Sequence, residues 1–158
     1  MKKRLWVFAI PMACLLALVV AGTIAWHFTA DRGSSIGIAT SSPALEIRWH
    51  GGGIVLQGSV PDEATQRTLA EGAAARLGGE SDQVTDWLDI TPTALPVADA
   101  AALAKLIQLG QEGWHLQRRS AEGWLAVPPL TDERSAQARA LLQTAFGPGV
   151  ATRLIALP

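Results

Sequence analysis

Three histidines, fourteen acids and six tryptophans supply most of the chemistry open to this 158-residue chain. His50 and His115 fall on equivalent early strands or their turns, one in each half of the chain. Two imidazoles brought together could bind a metal or move a proton. Each stands next to a Trp, however, and that setting reads as packing or surface. Asp62-Glu63 and Asp132-Glu133 form a repeated acidic pair. Paired carboxylates can divide acid and base roles, but these precede helical patterns and read as helix-start electrostatics. Gly-x-Ser-x-Gly, a phosphate-binding glycine loop and a His pair at ligand spacing are all missing from the sequence. The expectation is a protein with no catalytic residues, no cofactor and no metal.

The candidate binding residues are instead Trp49, Trp87, Trp114 and Trp124, in a body that has no Tyr, with Arg118 and Arg119, its one adjacent basic pair. Trp49 and Trp87 lie on strands and could share a face. Exposed, they would offer an apolar patch to a partner or a lipid headgroup; buried, they are core. Arg118-Arg119 reads as a solvated loop tip.

These residues sit in a pattern that recurs about 70 residues on: Gly53-Ile54-Val55-Leu56 against Gly123-Trp124-Leu125-Ala126, and Asp62-Glu63 against Asp132-Glu133. Leu45, Ile47 and Trp49 alternate with polar residues, His50 to Gly53 supply a turn, and Ile54 to Val60 alternate again, which predicts a hairpin. Ser59 or Asp62 can cap a helix with Leu69, Ala73 and Leu77 on its stripe, stopped by Gly78-Gly79. Val84 to Ile90 predicts a third strand, with Asp86 out of place on its apolar side.

The second half predicts a poorer hairpin, Trp114–Gln117 with Trp124–Val127, joined by residues 118–123. Pro128-Pro129 suggest a sheet edge there. Thr131 or Asp132 caps a helix with Ala138, Leu141, Leu142, Ala145 and Phe146 facing inward. Val150 to Leu157 reads as a strand covered on both faces. Between the halves, Asp99 can cap a helix through Leu103, Leu106 and Ile107 to Gly110. The fold expected is α+β, a two-layer sandwich of two (α)ββαβ repeats sharing a core.

The N-terminus sets the expected location. Lys2, Lys3 and Arg4 precede Leu5 to Phe28, which holds no acid, Lys or Arg. Such a run spans a bilayer core of about 30 Å. Trp6 and Trp26 stand where interfacial anchors belong, and the basic cluster directs the body out of the cytoplasm. A cleavable signal peptide ending near Thr23-Ile24-Ala25 is the competing reading, but the apolar run exceeds an ordinary h-region. The sole cysteine, Cys14, lies in this run, so an internal disulfide is impossible. The organisation expected is a signal anchor at 1–30, a tether rich in Gly, Ser and Thr at 31–43, and repeats at 44–92 and 96–158. From Asp31 onward ten basic residues face fourteen acidic ones, a balance that argues against nucleic acid as partner.

Val55-Leu56-Gln57-Gly58-Ser59-Val60, an Ala-rich helix, Gly79 and then Val84-Thr85-Asp86-Trp87-Leu88-Asp89-Ile90 resemble the BON domain. The second half departs from that pattern at Val127-Pro128. Two such modules behind one membrane helix are similar to the front part of some OmpA-family envelope proteins, without their peptidoglycan-binding domain. The resemblance implies a non-catalytic binding or scaffold module in the bacterial periplasm, held by a single-pass inner-membrane helix, with phospholipid or another envelope component as partner. A protein–protein assembly subunit of an envelope complex is the alternative, and a small-molecule substrate is not expected.

Overall fold

A computed structural model describes residues 44–158. The expected signal anchor with Trp6, Cys14 and Trp26, and the expected tether to residue 43, lie outside the described residues. Among the described residues no helix is long and apolar enough to cross a membrane.

Among the described residues six strands and three α-helices make a mixed α+β unit. In chain order these are β1 (Leu45–His50), β2 (Gly53–Val60), α1 (Glu63–Arg76), β3 (Val84–Ile90), α2 (Ala100–Leu109), β4 (His115–Arg119), β5 (Glu122–Val127), α3 (Asp132–Phe146) and β6 (Ala151–Ala156). The strands form one sheet in the order β3-β2-β1-β4-β5-β6. Within each half an antiparallel hairpin is followed by a helix that returns the chain to a parallel strand, β2 beside β3 and β5 beside β6. Such a crossover needs the length of a helix, which α1 and α3 provide.

Local chemistry explains the elements. Gly51 and Gly52, both at positive φ, close the first hairpin in two residues, the conformation that a tight twisted turn asks for. Asp62 caps α1 by accepting from Thr65 N at 2.7 Å, and Asp99 caps α2 through Ala102 N at 2.9 Å. Thr131 does the same for α3 through Arg134 N. The C-terminal carbonyls of α2 take arginines from both neighbours, Leu109 from Arg134 and Gly110 from Arg76. Cations at a helix C-terminus complement its dipole, so α1 and α3 are tied to α2 by charge as well as packing.

One core runs through both halves. Leu45, Ile47 and Trp49 of β1, Leu56 and Val60 of β2, Leu116 of β4, and Leu125 and Val127 of β5 all point to one side. There they meet Leu69, Leu103, Leu106, Ile107 and Leu142 from the helices. All three described helices therefore cover one face of the sheet, and among the described residues no helix covers the other, open face.

Three expectations about the second half are corrected. Its hairpin is regular, because β4 and β5 extend to Arg119 and Glu122 and turn through Ser120-Ala121 alone. β5 is an inner strand, so Pro128-Pro129 end it without marking an edge. β6, apolar enough to be covered twice, is an edge strand with Ile155 44% exposed. Asp86, out of place by alternation, sits on the other edge strand, where the side chain of Gln66 reaches it.

Candidate functional site

Among the described strands β1 and β4 join the two halves, and their antiparallel register sets Ile47 opposite Leu116. The helix caps Asp62 and Thr131 lie 69 residues apart, which is also the separation of Glu46 and His115. On the open face four side chains surround the Ile47–Leu116 pair: Glu46 opposite Gln117, and Arg48 opposite His115.

Three of these side chains converge on the fourth, Glu46. Glu46 Oε1 accepts from Arg48 Nε at 2.6 Å, from His115 Nε2 at 2.6 Å and from Gln117 Nε2 at 3.2 Å. A carboxylate at that distance places a proton on His115 Nε2. Trp124 packs edge-on against the His115 ring, with centroids 5.1 Å apart. Although it lies on the uncovered face, Glu46 is only 4% exposed. Burial alone would raise its pKa, but the hydrogen bonds from Arg48, His115 and Gln117, with the charge of Arg48, hold it below its ordinary value.

Beside this cluster a groove of about 630 Å³ crosses the sheet, lined by Arg48, Val55, Gln57, Trp87, Trp114 and His115 among others. Trp87 stands beside Gln57 on the adjacent strand and is 64% exposed, the most exposed of the large apolar side chains among the described residues. The Arg48 side chain is half exposed, since Glu46 takes only Nε and Nη2. The groove thus offers an indole face and a guanidinium on one floor. That pair suits a ligand with an apolar part and an anionic part.

The six candidate residues separate sharply. Trp49 and Trp114 are core: they pack edge to face at 6.0 Å, and Trp49 Nε1 donates to Ile107 O. Trp49 and Trp87 therefore lie on opposite faces, because the register pairs Trp49 with Ile54 and Trp87 with Gln57. Trp87 and, half-buried, Trp124 belong to the open face. Arg118 is no loop tip. It lies within β4 on the covered face, 4% exposed, with its guanidinium over Phe146 and donating to Pro96 O. Desolvation pulls its pKa down. Arg119 alone of the pair is solvated.

His50 and His115 keep separate partners. His50 is exposed at the first turn, 3.4 Å from Glu112, whose carboxylate also accepts from Gly51 N and Gly52 N. Those backbone bonds, more than His50, hold the Glu112 pKa low. Among the described residues no cluster of His, Cys, Asp or Glu could hold a metal. Asp62 and Asp132 begin helices, as their position before apolar stripes indicates.

The sequence reading did not single out Glu46, Arg48 or Gln117. The first two were visible as the polar partners of Leu45, Ile47 and Trp49, but only the β1–β4 register brings them to His115. Neither the family models nor the curated proteins compared with this chain give a match.

Proposed function

We propose that this chain is a membrane-anchored periplasmic module, made of two BON-like (α)ββαβ repeats, that binds envelope phospholipid through the open face of its sheet and catalyses nothing. The observation that carries this reading is the exposed Trp87 and the half-free guanidinium of Arg48 lining one groove. An indole settles at the boundary between acyl chain and headgroup, and a guanidinium donates hydrogen bonds to the phosphate oxygens. The shared hairpin–helix–strand order and the matching caps Asp62 and Thr131 support the repeat. Leu5 to Phe28, with Lys2, Lys3 and Arg4 before it, supports the anchor. Such an anchor keeps the body close to lipid, so weak binding through the groove is enough.

The test is co-sedimentation of a fragment covering residues 44–158 with vesicles of phosphatidylethanolamine and phosphatidylglycerol. Binding that Trp87→Ala weakens is the expected result. A fragment that stays in solution with every vesicle composition defeats the lipid reading.

A further inference from the structure

The two edges of the sheet are treated differently. At β3 the outward backbone groups of Leu88 are already occupied: its N–H donates to Asp86 Oδ1 at 2.9 Å, and its carbonyl accepts from Gln66 Nε2 at 3.2 Å. Asp82 and Asp89 add charge around the same strand. Blocked backbone and clustered charge are how an edge refuses another strand.

At β6 nothing comparable exists among the described residues. Ala151 N and Leu157 N donate inward to Ala121 O and Val127 O, so alternation turns the backbone of Thr152, Leu154 and Ala156 outward. No side chain among the described residues bonds those groups. The strand carries a single charge, Arg153, which reaches back to Glu122 at 3.3 Å, and it leaves Ile155 and Leu157 exposed.

We infer that β6 is a dimerisation edge, pairing antiparallel with β6 of a second copy about a twofold axis at Leu154. In that register Leu154 faces its own equivalent, and Thr152 faces Ala156 of the other copy, so every outward N–H and C=O meets a partner. Arg153 then lies across from Ile155 and Ala151 from Leu157, with no like charges opposed. A shift to an axis at Arg153 would set two guanidinium groups against each other. The occupied Leu88 groups and the acids around β3 disfavour β6-to-β3 stacking, so the assembly closes at two copies instead of growing into a filament.

Sedimentation velocity of the full chain in detergent, compared with Thr152→Pro, tests the inference. Proline removes only an outward donor at an edge, a place where sheets tolerate it. The wild type is expected to be a dimer, with Thr152→Pro raising the dissociation constant about tenfold or more at an unchanged circular dichroism spectrum. Leu154→Cys in a Cys14→Ser background should oxidise to a covalent dimer, since facing Cα atoms about 5.5 Å apart suit a disulfide. That crosslink decides the matter if Thr152→Pro fails to fold. A monomeric wild type, which leaves the edge to a foreign strand, overturns the inference. So does a species larger than a dimer, a dimer that folded Thr152→Pro leaves intact, or a Leu154→Cys chain that stays uncrosslinked.

Discussion

The two faces of the sheet are cut from the same strands, yet they are organised by different physics. On the covered face Ile47, Leu56, Leu116 and Leu125 are sealed by three helices, and area removed from water holds them. On the open face Glu46 is as inaccessible as many core residues, although none of the described helices lies over it. Its burial comes from Arg48, His115 and Gln117 closing around it across the β1–β4 seam. One face joins the halves by packing, the other by a directed polar cluster. A polar cluster at the seam fixes register as well as contact, because a one-residue slip would turn Glu46 into the core.

The comparison can be broken from either side. The largest effect belongs to the covered face: Leu56→Ala or Leu103→Ala should cost about 2–5 kcal/mol, with the urea midpoint falling at constant slope. On the open face, Glu46→Ala leaves three donors without their acceptor and should cost about 1–3 kcal/mol in the same assay. Among the described residues Arg118 is the one buried cation on the covered face. Arg118→Met, which keeps the volume over Phe146 and removes the desolvated charge, should change stability by less than about 1.5 kcal/mol. Trp87→Ala should move stability by no more than about 0.5 kcal/mol, since an exposed side chain holds no core together.

Acid sharpens the contrast further. Because the folded protein holds the Glu46 pKa below its ordinary 4.5, the stability it contributes is complete above that value. It is lost as pH falls through the folded-state pKa. Chemical denaturation across this range should show Glu46→Gln losing less stability on acidification than the wild type. Equal acid limbs would mean that the cluster does not hold the seam.

The covered face was legible in the sequence and the open face was not. Alternation named Leu45, Ile47, Trp49 and Leu56, and the caps Asp62 and Asp99 marked helix starts, because those signals are local. Arg118 misled because two adjacent arginines before Ser120 resemble a loop, whereas a two-residue turn leaves both in β4. β6 misled because apolar composition does not say whether a strand lies inside a sheet or at its rim. Trp49 and Trp87 could be separated only by strand register, which sets each on its own face. The Glu46 cluster depends on a pairing between residues 69 apart, a distance at which no local pattern carries information.

We propose the open face as the working surface, and the vesicle affinity of the 44–158 fragment tests it, with Trp87→Ala on the open face set against Arg139→Ala on the exposed side of α3. Trp87→Ala is expected to weaken binding about tenfold or more while Arg139→Ala leaves it unchanged. Binding lost with Arg139→Ala and kept with Trp87→Ala would place the surface on the helices and overturn the proposal.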